Sequence, residues 1–198
     1  MFNNEIWDKC KKRSMMGEKR IEQIHSFLTS SISHSPDSYA IAEIGVLKGG
    51  TSKYISMIAS FRKVYLFDTF NGLPQDFIHP IDGHYTSADF SDTNIDEIVR
   101  YLSDCNNIII KNGVFPETAS DINEKFCFVL IDCVLYYSVH NSLVYFYDKI
   151  DINSNIIIDD YGRPECPGVK VAVDSFLNEK KDFKFEILED FMINIRRS

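Results

Sequence analysis

Glycine and proline are scarce, at 9 and 6 of 198 residues, which excludes collagen-like repeats and argues against a disordered chain. Positive charge is also short. The 21 Lys and Arg stand against 29 Asp and Glu, a formal net charge of −8 that repels phosphate backbones. No local basic patch overrides it, so nucleic acid is not an expected partner. The five cysteines (Cys10, Cys105, Cys127, Cys133, Cys166) are odd in number and scattered, with neither a C-x-x-C pair nor zinc-finger spacing. Reduced thiols in a cytoplasmic protein are expected, not a disulfide framework. Long apolar runs are missing too. The most apolar stretch, Phe126 to Ile131, is stopped by Asp132, and the first thirty residues carry charges where a signal peptide needs an apolar core. Membrane insertion and secretion are not expected.

What remains is an ordinary globular composition, 44% hydrophobic and 25% charged, in a chain long enough to bury roughly 70% of its extended surface without staples. One domain is expected over 1–198, with 1–38 a helical extension and 39–198 an α/β core. Ile21, Ile24 and Leu28 recur at helical spacing, and that pattern stops in the Ser-rich turn Ser30 to Ser38. Short apolar runs follow at Tyr39 to Ile44, Lys63 to Phe67, Ile108 to Lys111, Phe126 to Ile131 and Asn155 to Ile158, the pattern of five buried parallel strands. Ser52 to Phe61, Asn94 to Cys105 and Ser138 to Ile150 read as the helices between them, with right-handed crossovers. The tail breaks the alternation. After a helix at Gly168 to Lys180, the runs Phe183 to Leu188 and Phe191 to Arg196 are joined by Glu189 and Asp190, a hairpin. A doubly wound, mostly parallel Rossmann-like sheet closed by a C-terminal antiparallel hairpin is the layout of class I methyltransferases. A dinucleotide dehydrogenase is disfavoured by that hairpin and by the absence of G-x-G-x-x-G.

Ligands of open α/β sheets bind where strands end, so the residues just after each strand carry the chemistry. The first strand runs into A-E-I-G-V-L-K-G-G-T-S at 42–52, placing Glu43, Gly45, Gly49, Gly50 and Ser52 at that edge. Glycines permit close backbone approach, and an acid there attracts an ammonium rather than a pyrophosphate; the same glycines would also serve an unliganded tight turn. Asp68 follows the second strand, 23 residues beyond Gly45, near the spacing at which an acid accepts from ribose hydroxyls. It would equally cap the Thr69 to Gly72 turn. Asp132 follows the fourth strand and Asp159 and Asp160 the fifth. With adjacent strands about 4.8 Å apart, three carboxylates converge at one edge, a donor set for Mg²⁺ unless Asp159 and Asp160 only cap the Tyr161 to Pro167 loop. Among the histidines, His25 and His34 read as surface and His140 as a helix residue, while His79 and His84 lie in the long loop Asn71 to Thr93, near the presumed crevice.

Taken together, A-E-I-G-V-L-K-G-G-T-S, Y-L-F-D-T-F-N-G-L-P at 65–74, G-V-F-P-E-T at 113–118, F-V-L-I-D-C-V-L-Y-Y-S at 128–138 and I-I-I-D-D-Y-G-R-P-E-C-P-G-V-K-V-A-V-D-S-F at 156–176 resemble the macrocin O-methyltransferase (TylF-type) family. The resemblance covers roughly 14–177. It implies an S-adenosyl-L-methionine-dependent, Mg²⁺-dependent O-methyltransferase acting on a sugar hydroxyl of a small molecule or glycan. Carried over, Glu43 would meet the methionine end of the cofactor, Gly45, Gly49 and Ser52 would line it, and Asp68 would hold the ribose. Asn112, Gly113 and Phe115 would border adenine, and Asp132, Asp159 and Asp160 would bind Mg²⁺.

One departure matters. The family's strand-four motif is D-x-D-x-Y, whose second Asp is the proposed general base, but this chain reads Asp132, Cys133, Val134, Leu135, Tyr136. A well-placed base is worth about 10²–10⁴-fold in rate, so either turnover is weakened or lost, leaving a binding role, or the proton leaves by another route. Water, His84, His79, Tyr136 or a shifted Asp160 are the sequence's candidates. With little N-terminal material for a substrate lid, a homo-oligomer whose partner supplies one is a further expectation.

Overall fold

The computed structural model describes residues 2–198. Seven strands form one sheet: β1 (Ala40–Ile44), β2 (Val64–Asp68), β3 (Ile108–Asn112), β4 (Phe126–Ile131), β5 (Ile150–Ile158), β6 (Phe183–Ile187) and β7 (Ile193–Arg197), in the order β3-β2-β1-β4-β5-β7-β6. The first five are parallel, and β7 runs antiparallel to both β5 and β6. The order reverses between β1 and β4, so a crevice opens beyond their carboxyl ends.

Six helices cover the sheet: α1 (Asn4–Cys10), α2 (Glu18–His34), α3 (Gly50–Ile58), α4 (Ile95–Tyr101), α5 (Tyr136–Phe146) and α6 (Pro167–Glu179). Alternate strand residues feed two cores, as a sheet buried on both faces requires. Ala42, Ile44, Phe67, Ile131 and Ile158 pack on the α5/α6 side with Leu143 and Val173, while Ile41, Leu66, Leu130 and Ile157 pack with Ile24, Leu28 and Ile55. A buried polar chain ties α2 to the sheet: Asn155 Nδ2 donates to Ser31 Oγ at 2.8 Å and Asn194 Nδ2 to Asn155 Oδ1 at 2.9 Å.

Three readings need correction. Helix α2 does stop within the Ser-rich segment, at His34 before Pro36, but Ser30 to His34, read as turn, are helical, because Ser31 is buried against Asn155 and Arg62 gathers the helix's final carbonyls. The segment read as helical to Ile150 ends at Phe146, and β5 begins at Ile150; the apolar residues there satisfied either pattern. His25 is not a surface residue. It is 8% exposed, with Nδ1 3.0 Å from the Tyr54 hydroxyl, because α1 lays Trp7 and Cys10 over α3 and closes that side of the core.

Candidate active site

A cavity of about 330 Å³ opens at the carboxyl ends of the strands, within the size range of small-molecule sites. Its wall takes residues from every parallel strand end, from the loop after β2, and from the N-terminal segment through Arg13, Ser14, Met15, Met16 and Arg20.

Gly45 explains how the strand ends close up. At φ +89°, a side chain there would put its Cβ 2.1 Å from the Asp132 carbonyl oxygen, so only glycine lets the β1 and β4 ends meet. The next turn is held by Asp68. Its Oδ2 accepts from the backbone N–H of Val46 at 2.7 Å and Leu47 at 2.9 Å, and its Oδ1 from Phe70 N–H at 2.7 Å. Leu47 sits at φ 51°, a left-handed conformation that costs a leucine roughly 1–2 kcal/mol, and the carboxylate offsets that cost. Asp68 therefore does cap its own turn and also splints the glycine loop. Oδ2 carries two of these bonds and Oδ1 one, so Oδ1 keeps an acceptor site, and the residue lines the cavity.

Glu43 is 1% exposed, and its Oε2 has no hydrogen-bond partner. Burial pushes its carboxyl up to about 8, Asp68 adds to the rise, and the buried Ser52 hydroxyl pulls the other way. A buried acid with an orphan oxygen on a cavity wall fits a cationic ligand group.

Asp132, Asp159 and Asp160 each bring a carboxylate oxygen to within 4.8 Å of the others. Burial drives Asp132 well above the usual range, with Asp159, Asp160 and Glu43 adding to it and Arg20 opposing. Asp159 is pushed to about 6, mainly by burial and by Asp160. Its two oxygens differ. Oδ2 pairs with Arg20 Nη1 at 2.6 Å, whereas Oδ1 is buried without a partner. Arg163 pairs with Asp160 Oδ1, and Asp160 itself sits at φ 60°, a strained conformation of the kind found at functional sites. Three converging carboxylates with an orphan oxygen fit a hard divalent cation.

The structure brings together Glu43, Gly45, Asp68, Gly113, Phe115 and the three aspartates on one wall. Gly49, Ser52, Asn112 and His84 are not on it. Gly49 caps α3 at φ 76°, Ser52 is buried beside Glu43, and Asn112 is exposed. His84 departs from expectation: it is exposed, its ring tilted by 34° against Tyr85 with centroids 4.3 Å apart. Tyr85, with its hydroxyl 3.2 Å from Cys166 Sγ, takes the inward place instead. His79 and Tyr136 also lie off the wall, their rings in tilted contact at 5.0 Å, and Val134 lies on it.

Sequence reading missed Arg20, Arg163 and Asp82. Asp82 is 1% exposed, and its Oδ2 accepts from His79 N–H at 2.9 Å and its Oδ1 from Tyr136 N–H at 3.0 Å, pinning the long loop to the start of α5. No local motif marks Arg20 or Asp82, because Arg20 acts on Asp159, 139 residues away, and Asp82 on Tyr136, 54 away; Arg163 lies inside the D-D-Y-G-R stretch, three residues after its partner Asp160.

Fold and site define a class I methyltransferase: a 3-2-1-4-5-7-6 sheet whose strand-end crevice holds the acidic and glycine residues together. The family model for macrocin O-methyltransferases (TylF) matches residues 7–189, and the chain belongs to that family of O-methyltransferases. Among solved structures, the O-methyltransferase NovP superposes with a TM-score of 0.79 at 22% identity, covering 94% of this chain and 82% of NovP. CalS11, a calicheamicin methyltransferase, gives 0.73 at 16% identity, covering 98% and 91%. An O-methyltransferase from Bacillus cereus in complex with S-adenosylhomocysteine (SAH) gives 0.66 at 12% identity, covering 100% and 93%. At these identities the structures support the fold alone. No curated protein matches the chain. No helix among the described residues is long and apolar enough to cross a membrane.

Proposed function

We propose that this protein transfers the methyl group of S-adenosyl-L-methionine to a sugar hydroxyl, with Mg²⁺ on Asp132, Asp159 and Asp160 binding the acceptor. The observation that carries this reading is the meeting, in one cavity, of an orphan buried acid at Glu43 with three carboxylates within 4.8 Å of one another. CalS11, described as a TDP-rhamnose 3'-O-methyltransferase, supports a sugar acceptor, as does the family.

Glu43 would pair with the cofactor's ammonium, and Asp68 would accept from its ribose hydroxyls while keeping the glycine loop in place. Val114 and Phe115, the latter held edge-on by Phe67 at 4.7 Å, would flank adenine. When bound, the cation supplies charge that favours an ionised acceptor hydroxyl. Arg20 holds Asp159 Oδ2, which would leave Oδ1 for the cation, and Arg163 holds Asp160 Oδ1, which would leave its other oxygen. With His79, His84 and Tyr136 off the wall, Asp160 or water is left to take the acceptor proton. The protein would otherwise act by aligning the reacting groups and excluding water. The protein is read as cytoplasmic, with no nucleic-acid partner and with 1–38 an extension of a single catalytic domain.

The test is calorimetry of SAH, then Mg²⁺, into metal-stripped protein. Micromolar SAH binding, near −8 kcal/mol, lost in Asp68→Ala but kept in Asp132→Asn, with Mg²⁺ binding lost in Asp132→Asn, is the expected pattern; absence of SAH binding would overturn the reading. A second reading, a cofactor- and metal-binding protein with little turnover, is favoured by Val134 on the wall where the family carries its base. Methyl transfer to a panel of nucleotide-linked sugars decides. A silent wild type that Val134→Asp activates by about 10²–10⁴-fold establishes the second reading, and an active wild type dismisses it.

A further inference from the structure

The sheet ends in an open edge at β6, and that edge is unusually apolar and regularly charged. Phe185 is 58% exposed and Ile187 66% exposed, alternating with the exposed Lys184 and Glu186. An apolar strand edge left unpaired is a template for another strand.

The register tells which backbone groups are free. β6 pairs with β7 so that Phe183 faces Arg197, Phe185 faces Ile195 and Ile187 faces Ile193. On the same ladder, Ser198 N–H donates to Asp182 O at 2.8 Å and Leu188 N–H to Met192 O at 2.9 Å. Hydrogen-bonded positions alternate along an antiparallel strand. The even residues of β6 are therefore bonded to β7, and the N–H and C=O groups of Phe183, Phe185 and Ile187 point to the open edge.

The segment Phe183-Lys184-Phe185-Glu186-Ile187 is complementary to itself in the antiparallel direction. Centred on Phe185, it sets Phe185 opposite Phe185 of a second copy, Phe183 opposite Ile187, and Lys184 opposite Glu186, each mixed contact occurring twice. The free backbone groups of the odd residues then fall in hydrogen-bonded pairs. Lys184 and Glu186 fall in the intervening non-hydrogen-bonded pairs, where side chains come closest. Arg196, paired with Lys184 on β7, adds positive charge to the same face, one strand behind Lys184.

We propose that the β6 edge is a dimerisation surface that joins two copies of this chain about a two-fold axis at Phe185, making one continuous fourteen-stranded sheet (seven strands from each copy). The occupant is a second copy because the charge order reads as its own complement. A closed two-fold contact also removes both exposed edges at once.

The experiment is sedimentation equilibrium of the full chain, with circular dichroism of every variant as the check on folding. Wild type is expected to be a dimer. Lys184→Glu places like charges opposite each other at both mixed contacts and should weaken the dimer by on the order of tenfold or more. Adding Glu186→Lys to Lys184→Glu reverses the order and should restore it. Phe185→Cys should cross-link two copies under mild oxidation, since hydrogen-bonded pairs place Cα atoms about 5.5 Å apart, with the wild type as the control for native thiols. A wild-type monomer at every concentration overturns the proposal. So does a dimer indifferent to Lys184→Glu, or one that the double change fails to restore.

Discussion

Glu43 is a carboxyl that the folded chain holds where water does not reach, and that placement makes a signed prediction. Its folded value is raised from 4.5 to about 8, so the stability linked to this group is fully present below about 4.5 and is lost as pH rises to about 8. The unfolded chain has released its proton across that window and the folded one has not, a slope of up to about 1.4 kcal/mol per pH unit. Glu43→Gln removes the slope. Urea unfolding of the metal-free protein should show the variant gaining on the wild type from pH 4.5 to 8 and the difference levelling above 8; a pH-independent difference would show that Glu43 is ionised at neutral pH. The same substitution removes the partner for a cofactor ammonium, the usual exchange of stability for function at a binding site. Glu43 and Asp68 were legible in the sequence as acids at strand ends. The division of labour between them was not, because it depends on which one has its oxygens occupied: Asp68 accepts three backbone N–H groups, and Glu43 Oε2 accepts none.

At the scale of elements, α2 is held at its C-terminal end by Arg62, in the turn between α3 and β2. The Arg62 guanidinium, 1% exposed, donates to the carbonyls of Ile32 at 3.0 Å and Ser35 and Tyr39 at 2.9 Å each, and to that of Pro36. The carbonyls of Ile32 and Ser35 belong to the end of the helix, which lacks intrahelical donors there, and Pro36 O also accepts from Tyr39 N–H at 3.0 Å. Arg62→Met keeps the stem volume and strips the donors. It should cost about 3 kcal/mol in chemical denaturation, with SAH affinity unchanged because Arg62 lies outside the cavity wall. A cost under about 0.5 kcal/mol would mean that water satisfies those carbonyls instead. The strands were readable because Ile, Val, Leu and Phe in short runs bounded by polar turns have few other ways to be buried. The bounds of α2, α5 and β5 were not, since a Ser-rich tail extends a helix when its serines find partners, as Ser31 does with Asn155.

For the whole molecule, the sheet's strand order matters because the charges it gathers oppose its own stability. Asp132, Asp159 and Asp160 come together at one edge against the two cations Arg20 and Arg163, so ligands that neutralise or fill the cavity should stabilise the entire fold. SAH at about 100 times its Kd adds about 2.7 kcal/mol, which for a chain of this size raises Tm by roughly 5–10 °C. Mg²⁺ should add a further rise that Asp132→Asn abolishes. Differential scanning calorimetry checks both, and a Tm indifferent to Mg²⁺ would remove the three aspartates from the role of ligands.

The sequence by itself determined the class of fold, the family, and the positions of the acidic and glycine residues at strand ends, because burial periodicity and strand-end chemistry are local properties of the chain. Only the tertiary structure decided which of those residues share a wall. It left His84 and Asn112 exposed, buried Ser52 beneath the site, and placed Arg20 on Asp159, a partner 139 residues away in sequence. It also set the parity of β6, and with it which backbone groups face outward. The reason is the same in each case: a side chain's partners across a sheet edge follow from strand order and register, which no local spacing encodes.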